Sequence, residues 1–131
     1  MIRLSRKSDY GLVALKALRA LQPGDAMSAR ELSLQLDLPT DMTPKVLAKL
    51  AQAGLIESSM GKTGGYRLAR LAEDISVAEV VRVLDGEPGL APCREGILEC
   101  HRIETCDIKH PLDNLHREVM LVLSRMSIAQ L

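Results

Sequence analysis

At 131 residues, 47% of them hydrophobic and with 17 basic against 17 acidic side chains, the chain suits one compact globular domain and is too apolar and too evenly charged to be disordered. No run approaches the roughly 18 apolar residues of a membrane span. The basic start at Arg3, Arg6 and Lys7 leads into Asp9, Lys16 and Arg19 rather than an apolar signal segment, so the expected location is the cytoplasm, with no membrane partner.

The charge is uneven. Residues 1–70 carry 11 Lys+Arg against 6 Asp+Glu, a surplus of +5, and residues 71–131 carry 6 against 11, a deficit of −5. A basic first half and an acidic second half point to nucleic acid on one side only. Tyr10 and Tyr66 are the only aromatic residues. Single strands and RNA are usually held on stacking platforms, whereas duplex DNA needs none.

Tyr10, Val13, Ala14, Ala17, Leu18 and Leu21 recur at helical spacing and predict an amphipathic helix over 8–21. Ser5 or Ser8 can cap it, and Pro23-Gly24 ends it. Ser28 and Glu31 form a capping box for a short helix to Leu36, with Leu32 and Leu36 inward. Asp37-Leu38-Pro39-Thr40 is the expected turn, and a second helix over 41–53 follows, closed by Gly54. With Asp41 as its cap, Pro44 falls in the first turn, where its missing N–H has no partner to lose. Val46, Leu47 and Leu50 are expected to face the core, leaving Met42, Thr43, Lys45 and Lys49 toward solvent. Two helices joined by a short turn, the second with polar and basic side chains outward, form the helix-turn-helix pattern.

Leu55–Ser59 and Tyr66–Leu68 read as strands around the glycine-rich turn Gly61-Lys62-Thr63-Gly64-Gly65, a hairpin with a basic tip that suits a wing. The turn lacks the G-x-x-x-x-G-K-[ST] spacing of a phosphate loop. Ser76 and Glu79 suggest a second capping box and a helix through Leu84, ended by Asp85-Gly86. Residues 87–106 have no periodicity and are longer than an ordinary structureless loop, which points to a functional segment. From Pro111 to Met126, Leu112, Leu115, Val119, Val122 and Met126 step by three and four, an a/d stripe for a dimer helix or for intramolecular packing.

The segment holds every cysteine of the chain: Cys93, Cys100 and Cys106, spaced C-x6-C-x5-C. In a cytoplasmic protein such a cluster binds metal or does redox work, and an odd number suits disulfides poorly. Thiolate is the soft ligand of iron–sulfur clusters, two-iron or four-iron. Zinc is the rival metal, but its structural sites favour closely spaced cysteine pairs, which are absent here. A metal-free thiol switch and inert cysteines are the remaining readings. Of the histidines, His101 neighbours a cysteine, His110 stands at the start of the last helix, and His116 falls on its polar, solvated face.

Several ordered motifs carry a family resemblance over essentially the full length. They are Leu4-Ser5-Arg6-Lys7-Ser8-Asp9-Tyr10, Leu50-Ala51-Gln52-Ala53-Gly54-Leu55-Ile56, Gly64-Gly65-Tyr66-Arg67-Leu68, Ile75-Ser76-Val77-Ala78-Glu79-Val80 and Ser127-Ile128-Ala129-Gln130-Leu131. The chain resembles the Rrf-two family of winged-helix transcriptional regulators. The resemblance implies a homodimeric transcription regulator with an iron–sulfur cluster on Cys93, Cys100 and Cys106; with two half-sites for a dimer, the expected role is repression at a palindromic operator. In some members a histidine three residues after the last cysteine is the fourth ligand; that position is Lys109 here, and His110 is one further. Nitric-oxide-sensing members use an aspartate near the N-terminus, donated by the partner subunit, and Asp9 matches it. In the first turn of a helix, Asp9 also suits the helix dipole.

The sequence therefore predicts a mostly α protein: a winged helix-turn-helix with a small β-hairpin wing and a C-terminal dimerisation helix. Residues 1–70 form the DNA-binding region and 71–131 the cluster loop and dimer helix of one compact domain. The candidate DNA contacts are Thr40, Thr43, Lys45 and Lys49 on the recognition helix, Lys62 at the wing, and Arg6 and Lys7 at the start. The expected function is regulation by a cluster that senses nitric oxide, redox state, iron or cluster supply. The alternative is a metal-free, thiol- or ligand-sensing winged-helix regulator. An electron-transfer or cluster-carrier role is argued against by the wing and recognition helix, and no hydrolytic triad or paired catalytic carboxylates suggest an enzyme.

Overall fold

The computed structural model describes residues 3–60, 64–87, 89–91 and 100–131. The helices are α1 (Arg6–Arg19), α2 (Ala29–Leu36), α3 (Thr43–Gln52), α4 (Val77–Asp85) and α5 (Lys109–Arg125). The strands β1 (Ile56–Ser59) and β2 (Gly65–Leu68) pair antiparallel, Ile56 opposite Leu68 and Glu57 opposite Arg67. Short 3-10 turns lie at Ala72–Asp74 and Ile128–Gln130. The mostly helical, winged helix-turn-helix class is as expected.

α1 begins two residues earlier than predicted because Ser5 is its cap, its side chain accepting the Ser8 N–H. The stripe read from the sequence is corrected as well. Tyr10, Val13 and Ala17 are only partly buried, and the face that packs runs through Ser8, Gly11, Leu12, Ala14, Leu15 and Leu18. The reason is that α1 is central: α2, α3, α4, β2 and the C-terminal 3-10 turn all rest on it, so its buried arc is wider than one stripe. A Cβ on Gly11 would run into Leu84 Cδ1, so the absence of a side chain there sets how closely α4 approaches.

The capping box of α2 forms in both directions, and Asp37 closes that helix in the left-handed region at φ 53°. The turn that follows is longer than expected. Asp41 does not cap α3, which starts at Thr43 with Met42 at the cap position and no side-chain cap; Pro44 lies in the first turn, as predicted. Thr43 is a correction: expected toward solvent, it is 1% exposed, and its hydroxyl donates to the Pro39 carbonyl at 2.7 Å. Met42 is likewise partly buried against the core.

Leu15, Leu32, Leu47, Leu50, Leu55, Ile56, Ile75, Val80 and Ile128 form the centre of the core. Each such side chain contributes about 1.5–3 kcal/mol on leaving water. Met27 exchanges two backbone hydrogen bonds with Tyr66, of 2.9 and 2.7 Å, which anchors the wing to the start of α2. Gly65 permits this approach, since a Cβ there would strike the Met27 backbone.

Ser76 caps α4, accepting the Glu79 N–H, but the second capping box is only half formed: the Glu79 carboxylate accepts from Arg70 instead, at 2.6 Å. The N-terminus of α4 is pinned to the end of α5, where Val77 N–H donates to Met126 and Ile128 N–H to Ile75, both at 2.9 Å. α5 begins at Lys109, two residues before the expected Pro111. Its buried face holds His116 and Met120, with Leu123 partly buried, so His116, expected to be solvated, is a further correction at 9% exposure. Leu115, Val122 and Met126 of the a/d stripe, with Leu121, stay exposed, at 43–63%.

Candidate functional site

Two regions carry the candidate residues. The first is a cationic face. Arg6 and Lys7 lie in the first turn of α1, Lys45 and Lys49 on the outer side of α3, and Thr40 in the turn before it, all exposed. Among the described residues Arg6, Lys7, Lys45 and Lys49 have no acidic partner, whereas Arg67, Arg70 and Arg82 are paired with Glu57, Glu79 and Glu87. Lys7, Lys45 and Lys49 line one cleft of about 270 Å³, with Asp41 beside them and Met42, Val46 and Leu84 as its apolar part. Sequence spacing alone gave no sign that α1, α3 and α4 meet there. Lys62, the expected wing contact, lies outside the described residues.

The first turn of α1 is held from behind. Ser5 Oγ donates to Asp85 Oδ1 and Ser8 Oγ to Asp85 Oδ2, each at 2.6 Å. Asp85 was expected only to end α4; its partners are 80 and 77 positions away, a separation at which local motifs carry no signal.

The second region joins α4 to α5. Cys100 and Cys106 are free thiols, partly buried, and Cys93 lies outside the described residues. Ile103 N–H donates to Cys100 O at 3.1 Å and Thr105 N–H to Arg102 O at 3.0 Å, so 100–105 is a run of tight turns rather than a helix or strand. Two accessible, unbridged thiols are a donor set that suits iron. Among the described residues no three His, Cys, Asp or Glu side chains converge on a common point. Asp9, His101, Lys109 and His110 are all exposed, and neither Asp9 nor His110 is gathered with the two cysteines.

Elsewhere, the Ser28 backbone N–H, followed by its hydroxyl, holds the Glu31 carboxyl below the usual carboxylate range. No helix among the described residues is long and apolar enough to cross a membrane.

A family model described as "Iron-dependent Transcriptional regulator" matches residues 4–131. The HTH-type transcriptional regulator NsrR of Bacillus subtilis (strain 168) is 28% identical over 131 residues, 99% of this chain and 90% of that protein. The HTH-type transcriptional repressor NsrR of Streptomyces coelicolor is 27% identical, over 99% of this chain and 88% of the relative. Among solved structures, T. potens IscR superposes with a TM-score of 0.75 at 26% identity, covering 98% of this chain and 85% of its own. The oxidized form of Staphylococcus aureus CymR gives 0.75 at 25%, covering 98% and 94%. CymR of B. subtilis, the global cysteine regulator, gives 0.77 at 22%, covering 99% and 95%, a likeness of fold. With the helix-turn-helix, the wing and the cleft that Lys7, Lys45 and Lys49 share, these matches place the chain in the Rrf2 family, as a DNA-binding transcriptional regulator and not an enzyme.

Proposed function

We propose that the chain is a homodimeric cytoplasmic repressor whose affinity for a palindromic duplex operator is set by an iron–sulfur cluster, two-iron or four-iron. The observation that carries this reading is the cysteine segment itself: three thiols within fourteen residues, two of them free and partly exposed, in the connection between α4 and α5. The family model's description as iron-dependent supports it.

In this reading residues 1–70 handle DNA and residues 71–131 handle the cluster and the dimer contact. Lys45, Lys49 and Thr40 lie toward the major groove, Arg6, Lys7 and Lys62 toward phosphates. Thr43 leaves the set, because its hydroxyl is turned inward. Cys93, Cys100 and Cys106 hold the cluster, with a fourth ligand from Asp9 of the partner subunit or from His110. The cluster's chemistry is an iron held by one weaker oxygen or nitrogen ligand, open to nitric oxide, oxygen or loss. The exposed stripe Leu115, Val122 and Met126 pairs with a second copy, which gives a two-fold protein for a two-fold site. The segment lies between α4 and the dimer helix, so its state shifts the population of half-site geometries.

The test is anaerobic purification followed by a visible spectrum and iron, sulfide and zinc analysis. Iron and sulfide in matching amounts, lost in Cys100→Ala or Cys106→Ala, is the expected result. Colourless protein that also resists cluster reconstitution overturns the cluster. A second reading, a metal-free thiol switch, is favoured by the likeness to a CymR structure solved in an oxidized form. Colourless protein whose DNA affinity responds to oxidant would establish it.

A further inference from the structure

Asp85 stands at an unfavourable end of its own helix. It is the last residue of α4, where the helix dipole is negative and a carboxylate is repelled. Its role lies with the opposite end of another helix. The first turn of α1 points free N–H groups and a partial positive charge outward, and there the carboxylate takes one hydroxyl from Ser5 and one from Ser8. Ser5 also accepts the Ser8 N–H at 3.1 Å, so the cap of α1 and the clamp to α4 share one side chain. Ser8 is fully buried, which leaves water no easy substitute for the carboxylate.

Lys7 sits between these two serines in sequence. The turn that Asp85 grips is thus the turn that brings Lys7 to the cleft lined also by Lys45, Lys49 and Leu84, the residue before Asp85. We propose that Asp85 is a positioning residue for DNA binding. By holding Ser5 and Ser8 it places Lys7, the phosphate contact, beside the α3 lysines that face the groove, so that α1 and α3 present one composite cationic surface to the duplex. The proposal rests on the DNA-binding reading of the family.

The sign of the effect separates this role from bulk electrostatics. Removing a negative charge near a cationic face strengthens DNA binding if charge alone matters. If Asp85 positions Lys7, removing it weakens binding. The experiment uses the full-length protein and a duplex selected by the wild type from a random pool, with affinity measured against salt concentration. Lys7→Ala is expected to weaken binding and to lower the slope of log affinity against log salt by about 1, the loss of one phosphate contact. Asp85→Ala is expected to do the same, and the double variant to lose no more than either alone, because both act on one contact. Ser8→Ala, which changes no charge, is expected to follow Asp85→Ala and decides the matter if Asp85→Ala does not fold by circular dichroism. Tighter binding by Asp85→Ala, an unchanged slope in both Asp85→Ala and Ser8→Ala, or additive losses overturn the positioning role. A wild-type protein that selects no duplex overturns the DNA-binding reading itself.

Discussion

Ser8 Oγ donates a 2.6 Å hydrogen bond to Asp85 Oδ2 across 77 positions of sequence, tying the first turn of the first helix to the last turn of the fourth. α4 is held at both ends: at its start by the Val77–Met126 and Ile128–Ile75 backbone bonds to the end of the α5 region, and at its close by Asp85. It therefore braces the exposed C-terminal helix against the cationic front of the molecule, with the cysteine segment leaving from its far end.

The bond at Ser8 has a stability consequence of its own. A hydroxyl bonded to a carboxylate contributes about 1.5–3 kcal/mol. Ser8→Ala is predicted to lower the unfolding free energy by that amount, which shifts the urea midpoint down by the loss divided by an unchanged slope. A midpoint equal to wild type would show that the bond is not maintained in solution.

Gly11→Ala addresses the same helix pair from its middle. The new methyl meets Leu84 Cδ1, and overpacking of this kind costs about 1–3 kcal/mol, offset in part by the roughly 0.5–1 kcal/mol that Ala gains over Gly inside a helix. Leu84→Ala removes the obstructing atom, so the double variant is predicted to be more stable than the sum of the two losses implies, by about 0.5–3 kcal/mol. Additive losses in chemical denaturation would place the strain elsewhere.

Much of this architecture is legible in the sequence, and the exceptions have physical causes. Ser28-x-x-Glu31 gives its capping box because both partners lie within one turn. Ser76-x-x-Glu79 has the same spacing but only half the box, since Arg70, brought in by the chain after β2, competes for the carboxylate. The helical periodicity finds α1 but mistakes its stripe, because a helix covered on several sides buries more than one face. His116 looks polar on a helical projection yet is buried against the body of the protein. At the site, Lys45 and Lys49 are exposed on the recognition helix as the spacing implies, while Thr43 turns in to complete the preceding turn. The Asp85 clamp has no local signature at all. The three cysteines stand out by type and spacing, whereas Asp9 and His110 do not, because each lies on a helix where a structural role explains it equally well.

The exposed face of α5 predicts a separable defect. Val122 is 63% exposed, so Val122→Glu breaks no intramolecular contact of weight. Sedimentation of the wild type is predicted to give twice the 14.3 kDa chain mass, and the variant one chain mass with helicity retained. An unaltered dimer would move the interface off this stripe.

Glu31 gives a pH dependence whose sign is fixed. Its carboxyl is held below the usual range by the Ser28 backbone N–H and then by the Ser28 hydroxyl, so the folded pKa lies below the unfolded one. The stability it contributes is present above the unfolded pKa and is lost as pH falls through the folded one. Glu31→Gln is predicted to lower Tm at neutral pH and to match wild type at pH low enough to protonate the carboxyl. A Tm difference that persists there would assign the loss to something other than the charge.

Whether the state of the cysteine segment sets DNA affinity is decided by one pair of binding curves. The same preparation is titrated against its selected duplex anaerobically with the cluster in place, and again after iron removal, at fixed salt. The two affinities are predicted to differ by a factor of about 10 or more, a coupling of at least about 1.4 kcal/mol. The difference should vanish in Cys106→Ala. Equal affinity in both states, with the cluster verified in the first, would contradict it.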